Sequence, residues 1–416
     1  MNKKKEIVPK LRFPEFIGDK LKITKLGKIS SVVKEKAGEN KYTLMSVTSG
    51  VGLIPQTEKF GREIAGDSYK NYIVIRKYDF AYNKSATKQF PEGYISMLGE
   101  YDIAAVPNSI FTCFRITGNE SYPPFFDYLW HNNYHGHWLR KYIEVGARAH
   151  GALSVDTKHL WSMPLALPDF KEQQKIADCL SSIDELIDAE SRKLKALEKY
   201  KKGLMQKLFP AEGKTLPEWR FPEFQGCGEW KSKSIGKACK MFSGGTPDTS
   251  KKEFYGGTIP FIRSAEINKS STELFITEEG FKNSSAKMVK KGDILIALYG
   301  ANSGEVALSK IDGAINQAIL CLRHETNNVF VYHYFTHMKN WIISKYIQGG
   351  QGNLSGQNIK SVNLYFPKAE EQQKIADFLS EIDTMITGQS NKVEQLKAHK
   401  KGLMQGLFPS FEEADV

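Results

Sequence analysis

Few residues in this chain have the types and spacing that chemistry needs. Gly213-Lys-Thr215 has the ending of a phosphate-binding loop, but position 208 is leucine where that loop requires glycine, and no strand precedes it. Glu212-Gly-Lys214 and Glu229-Trp-Lys231 carry the acid-x-lysine fragment of some nucleases. Neither follows a strand bearing a partner aspartate at usable spacing, so both read as linker. His131 and His135 stand four residues apart, with His137 beyond, a spacing that could ligate zinc on a helix. The corresponding stretch of the second half of the chain has Phe335, Lys339 and Trp341, which excludes a duplicated metal site and favours helix-face histidines. There is no glycine-rich cofactor fingerprint and no Asn-Pro-Pro-Tyr type of methyltransferase motif. We therefore expect no catalytic residues, no metal and no cofactor of the chain's own.

What remains is a set of polar loops beside strands. Lys84-Ser-Ala-Thr-Lys-Gln89 follows a β-rich run ending at Tyr82-Asn83, and its counterpart is Tyr299-Gly-Ala-Asn-Ser-Gly304. Gly146-Ala-Arg-Ala-His-Gly151 and Gln348-Gly-Gly-Gln-Gly-Asn353 form a second pair. Ser243-Gly-Gly-Thr-Pro247 offers backbone N–H groups to a phosphate. Phosphates take Lys, Arg and backbone N–H, whereas base edges are read by Arg, Lys, Asn, Gln, Ser and Thr. The candidate phosphate ligands are Lys84, Lys88, Arg148 and Arg263. The candidate base readers are Thr87, Gln89, Arg263, Asn302 and Ser303. Ser243, Gly244, Gly245, Thr246, Tyr299 and Asn353 complete the candidate DNA-binding set. Ordinary surface turns are the competing reading of each loop alone. The charge favours a polyanionic partner: Lys+Arg is 58 against 47 for Asp+Glu, a net +11.

These loops must be carried by something, and an internal repeat reveals it. Residues 171–210 return as 370–409 at an offset of 199, with 24 identities in 40 positions. The pair includes Glu172-Gln-Gln-Lys-Ile-Ala-Asp178 with Glu371-Gln-Gln-Lys-Ile-Ala-Asp377, and Lys201-Lys-Gly-Leu-Met-Gln206 with Lys400-Lys-Gly-Leu-Met-Gln405. Arg12-Phe-Pro-Glu-Phe16 also returns, as Arg220-Phe-Pro-Glu-Phe224. Apolar residues in the first copy fall at Ile176, Leu180, Ile183, Ile187, Leu194 and Leu197, and in the second at Ile375, Leu379, Ile382, Ile386, Val393 and Leu396. This 3–4 spacing draws one stripe along a helix and calls for a partner helix. Residues 171–208 as helix would run about 57 Å, and Phe-Pro ends each copy. The two helices are expected to pair antiparallel; a separate helix on each domain is the alternative.

The remaining segments, 20–168 and 228–367, mix short strands with turns. Strand signals lie at 41–47, 72–75, 110–115, 258–263, 293–299 and 318–323, and helix signals at about 125–142 and 329–346. Faint matches such as Lys77-Tyr-Asp79 with Lys291-Gly-Asp293 make the two segments one fold with different surfaces. The expected class is α+β: two pseudo-symmetric heads and two long antiparallel helices forming a coiled coil. The expected boundaries are 1–170, 171–210, 211–369 and 370–416.

Composition agrees with a globular chain. It is 416 residues long and 41% hydrophobic, and no apolar run reaches the ~18–20 residues of a membrane span. Lys3, Lys4 and Lys5 are followed by no hydrophobic segment, so no secretory leader is expected. Five scattered cysteines without a Cys-x-x-Cys argue against a disulfide framework or zinc ribbon and for a reducing cytoplasm.

The chain resembles the specificity subunits of type I restriction–modification systems. The likeness rests on Glu172 to Asp184 and Glu371 to Asp383 in the pattern Glu-x-Gln-x-x-Ile-Ala-x-x-Leu-x-x-x-Asp, on the duplicated Lys-Lys-Gly-Leu-Met-Gln, and on Ser243-Gly-Gly-Thr-Pro with Ile259-Pro-Phe and Asn316-Gln317. It implies two target-recognition domains, each reading one half of a split double-stranded DNA target, and a coiled coil that sets their separation. It also implies a non-catalytic subunit docked to two methyltransferase subunits, which bring S-adenosylmethionine, and to restriction subunits using ATP and Mg. The first head departs from the pattern, with Lys34-Glu-Lys-Ala-Gly-Glu39 near where Ser-Gly-Gly-Thr-Pro would fall. The rival classes are a stand-alone restriction–methylation enzyme, which would need the missing methyltransferase motif, and a protein-interaction scaffold with no nucleic acid.

Overall fold

The structure, a computed structural model, describes residues 8–65, 67–85, 87–143, 148–149, 152–153, 156–300, 302–346 and 353–409. Two compact units emerge: Met1–Glu190 with Lys392–Val416, and Ser191–Asn391. The division runs through the middle of both long helices, Phe170–Leu208 and Ala369–Leu407. Each unit thus contains one head, the first part of the helix that follows it and the last part of the other long helix.

The two repeated motifs form each helix entry together. In the first unit the Arg12 guanidinium grips the Glu172 carboxylate with two bonds, Nε–Oε1 2.8 Å and Nη2–Oε2 2.7 Å. In the second, Arg220 grips Glu371 at 2.6 Å through both arms. All four side chains are at least nine-tenths buried. The next residue repeats too: Gln173 and Gln372 each donate to a proline carbonyl five residues back, Pro168 and Pro367, at 2.9 Å. The Arg-Phe-Pro-Glu-Phe segment also ties down a helix end. Leu11 N–H donates to Gly406 O, and Trp219 N–H to Lys207 O, both at 2.9 Å. These are orphan carbonyls of a helix C-terminus, so each bond satisfies a group the helix leaves open.

Within each unit the two helix segments run antiparallel. In the first, Lys400 pairs with Asp184 at 2.6 Å and Lys392 with Glu190 at 2.5 Å, one number falling as the other rises. In the second, Lys201 pairs with Asp383 at 2.5 Å, which is the Lys400–Asp184 pair under the 199 offset. The apolar stripe lies inward. Ile176, Leu180, Ile375, Leu379, Ile382 and Val393 are buried; Ile183, Ile187, Leu194, Leu197, Ile386 and Leu396 are half-buried. The alternatives of helix pairing and helix-on-head packing prove to be compatible. Ile176 and Leu180 join a core with Phe125, Trp130, Leu407 and Phe408. Ile375 and Leu379 join one with Phe330, Tyr334, Leu208 and Phe209.

Each head is built on a four-stranded antiparallel sheet. The first orders Ser30–Val32, Phe111–Ile116, Asp79–Asn83, Tyr94–Met97; the second orders Cys239–Ser243, Ile319–His324, Ile294–Ala297, Val306–Leu308. In each head a buried aspartate ties together the two central strands of the sheet. Asp79 accepts from Arg115 Nε at 2.6 Å and from Arg76 N–H at 2.7 Å; Asp293 accepts from Arg323 Nε at 2.9 Å and from Lys290 N–H at 2.7 Å. The residue before each is left-handed: Gly292 at φ 89°, Tyr78 at φ 73°. Only glycine takes that conformation without a steric cost. A second small sheet flanks each hairpin. The parallel pairing of Phe261 with Ala314 corresponds to the parallel bridge of Leu44 with Ala105.

The helix expected at about 125–142 is broken, whereas its counterpart Asn328–Tyr346 is continuous. The first head has Pro123–His131, Tyr134–Leu139 and a 3-10 turn Arg140–Tyr142. Asn133, left-handed at φ 57°, makes the break, and a Cβ at Gly136 would overlap the Asn133 side chain.

Candidate nucleic-acid interface

In the first head the strand Asp79–Asn83 delivers the loop that follows it to one end of the sheet. Thr87, Lys88 and Gln89 are exposed there, and Lys84 is half-buried. Phe90 N–H donates to Thr87 Oγ1 at 3.0 Å, and Thr87 N–H to the Phe90 carbonyl at 3.1 Å, which fixes the loop's shape. Thr87, Lys88 and Gln89 line a concavity of about 630 Å³. Its other wall, which sequence reasoning missed, is Ser46, Thr48 and Ser49 from the Met45–Thr48 hairpin, with Lys59 beyond. Burial lowers the Lys59 pKa, and its ammonium donates to Ser46 Oγ and Val47 O at 3.3 Å. The sequence signal was present: Thr48-Ser-Gly-Val51 is a polar turn directly after a strand. Arg148 sits in a two-residue strand paired with Leu153, and its side chain lies outside the described residues. The rest of 146–151, apart from Ala149, lies outside them too.

The second head brings its loops together through the turn Asn316-Gln317-Ala318. Thr246 Oγ1 donates to Gln317 Oε1 at 2.6 Å, and Leu298 N–H to Ala318 O at 2.8 Å. Leu354 N–H reaches Leu298 O at 2.8 Å, which sets Asn353 beside the Tyr299–Gly304 loop. Ser243, Thr246, Tyr299, Gln317 and Asn353 are exposed and Asn302 half-buried. Ser303 spends its hydroxyl proton on Leu298 O at 2.9 Å, leaving it only as an acceptor. The first head repeats this frame, with Lys84 N–H donating to Ile110 O at 3.4 Å.

Two sequence readings need correction. At Gly244 and Gly245 the chain packs closely on its neighbours, and the Gly245 N–H is not open to a phosphate. A Cβ at Gly244 would overlap the Ile315 carbonyl, one at Gly245 would overlap Ser285, and Gly245 N–H already donates to Ile315 O at 3.2 Å. These glycines let one segment lie against another. Arg263 holds its place on the loop side, since the matched parallel pairings put it where the first head has Ser46. Its charge, however, is committed to Glu266 at 3.0 Å and Glu273 at 2.8 Å. Arg263 in turn holds the Glu266 carboxyl at about 2, well below its ordinary value.

His135 is fully buried, with Nε2 3.3 Å from Gly93 O, and His131 lies 3.7 Å from Asp127. Among the described residues no group of three or more metal-ligating side chains occurs, and no helix is long and apolar enough to cross a membrane.

The family model of the type I restriction modification DNA specificity domain matches residues 71–199 and 228–398, well over half of the chain and a part of each head. The chain belongs to this family. Among curated relatives, it is 28% identical over 275 residues to a putative type I restriction enzyme MjaX specificity subunit of Methanocaldococcus jannaschii, covering 64% of this chain and 63% of that protein. It is 31% identical over 195 residues to the MjaIX specificity subunit of the same organism, covering 44% of this chain and 45% of that one. A type I specificity subunit of Escherichia coli is 30% identical over 169 residues, 38% of this chain and 42% of its own length. These matches span less than two thirds of each relative. The fold is that of a type I restriction–modification S subunit from M. genitalium, TM-score 0.62 at 14% identity over 97% of this chain and all of that one. A chain from a structure of type I complex assembly and conformational transition gives TM-score 0.57 at 16% identity, over 94% of this chain and 98% of that one.

Proposed function

We propose that the chain is the non-catalytic subunit that gives a type I restriction–modification complex its DNA target. Each head reads one half of a bipartite double-stranded site. The two long helices act as a ruler between the half-sites, and the chain docks two methyltransferase subunits and restriction subunits in the cytoplasm. The observation that carries this reading is one loop frame presented twice with different residues: Ser46, Lys59, Lys88 and Gln89 in the first head, Thr246, Gln317, Asn302 and Asn353 in the second. Such side chains suit base edges and phosphates. The chain itself needs no cofactor for this task; S-adenosylmethionine belongs to the methyltransferase subunit, and ATP and Mg to the restriction subunit.

The experiment maps methylated sites in a host that carries this chain with its methyltransferase subunit. A split motif is expected. Inserting about four residues, near one helical turn, into one long helix is expected to lengthen the unspecified gap and leave both half-sites intact. An undivided motif, or a gap that ignores the insertion, contradicts the reading.

A further inference from the structure

The duplication serves as a two-sequence alignment in which each match asks for a reason. Five positions of the repeated helix are identical in both copies and exposed in both: Lys175/Lys374, Asp178/Asp377, Lys193/Lys392, Lys202/Lys401 and Gln206/Gln405. Internal partners account for the first three in at least one copy. Lys175 and Lys374 pair with Glu15 and Glu223, Lys392 with Glu190, and Asp377 with Gln373. Lys202/Lys401 and Gln206/Gln405 have no side-chain partner in either copy among the described residues. Lys202 and Lys401 lie outside the last turn of helices that end at Leu208 and Leu407, so the terminal dipole, which fades within that turn, does not account for them.

Between them stands a glycine, Gly203 and Gly402. A Cβ there would meet nothing within 4 Å in either copy. A helix-interior glycine is unfavourable relative to alanine, and here no internal contact requires it. On the helix surface, residues three and four apart are neighbours, so Lys202, Gly203 and Gln206 share one face. In the first unit, Lys401 and Gln405 form one wall of a concavity of about 640 Å³, with Lys397 beside them. The rest of the lining includes Gly50, Gln89, Tyr128, Asp127 and Asp184, the last paired with Lys400, and Gln89 also lines the loop concavity described above.

We propose that the Lys-Lys-Gly-Leu-Met-Gln end of each long helix is a DNA-backbone contact. Lys202 and Gln206, and equally Lys401 and Gln405, donate to phosphate oxygens, while the glycine between them lets the strand lie close to the helix. This rests on the reading that the heads bind DNA, and it adds a sequence-independent contact outside the loops.

The test uses the full chain with its methyltransferase subunit and a duplex of random sequence, titrated across salt. The double variant Lys202→Ala/Lys401→Ala is expected to lower the magnitude of the slope of log K against log salt by about 0.9 for each lysine, with the methylated motif unchanged. Lys401→Arg is expected to keep the slope. Gly402→Ala is expected to raise the thermal midpoint and yet weaken binding, a pair of opposite effects that a structural role would not produce. An unchanged slope overturns the proposal, as does loss of methyltransferase co-purification with the slope intact, which would make this a protein surface. Wild-type chain that shows no salt-dependent binding contradicts the DNA reading itself. If Lys88→Ala lowers the slope and the helix variants do not, only the helix contact fails.

Discussion

The two heads share a frame and differ at its rim. Several matched pairs hold the frame together: Arg12–Glu172 and Arg220–Glu371, Asp79–Arg115 and Asp293–Arg323, Asp184–Lys400 and Asp383–Lys201. Their differing rim residues make contacts of their own in each head, Lys59 with Ser46 in the first and Thr246 with Gln317 in the second. The first rim is basic, with Lys59 and Lys88 around its concavity. The second presents the amides of Asn302, Gln317 and Asn353, and its Arg263 is already balanced by two carboxylates.

The comparison is broken most severely at the frame. Arg12→Ala and Arg220→Ala each strand a buried glutamate, at a cost of about 3–5 kcal/mol. Chemical unfolding of the two variants is expected to show losses of the same size. A loss in one and not the other would mean that the clamps are not equivalent.

Rim substitutions are expected to be smaller and one-sided. Gln89→Ala and Gln317→Ala should each cost about 1–3 kcal/mol of binding at a single base position, in different half-sites. Lys88→Ala should instead weaken all sequences alike, with the salt slope falling by about 0.9. Binding of duplexes mutated one position at a time checks both. Relaxation of the same half-site by both glutamine variants would contradict separate reading.

The smallest difference is in the backbone. Tyr78 takes a left-handed φ where Gly292 does so freely. Tyr78→Gly is expected to stabilise by about 1 kcal/mol, and Gly292→Tyr to destabilise by a similar amount. Thermal midpoints moving in opposite directions would support this equivalence; movement in the same direction would count against it.

The frame was legible because it is written twice. The 199 offset, the apolar stripe and the Phe-Pro stops place both long helices within a residue of Phe170–Leu208 and Ala369–Leu407. The pairing of Arg12 with Glu172 was not legible, although both motifs were seen, because a contact spanning 160 residues leaves no local spacing to read. The break at Asn133 escaped because helix periodicity continues across it. The close packing at Gly244 and Gly245 was not legible for a physical reason: a glycine needed for close packing and one needed to admit a phosphate look the same in one sequence. The wall formed by Ser46, Thr48 and Ser49 is joined to the Lys84–Gln89 loop only by the fold of the sheet.

The central claim is that each head reads its own half-site on a shared frame. Replacing residues 20–168 with the first head of another family member, and mapping methylation in the host, tests it most directly. One half of the motif is expected to change, with the other half and the gap retained. A change in both halves would contradict the account.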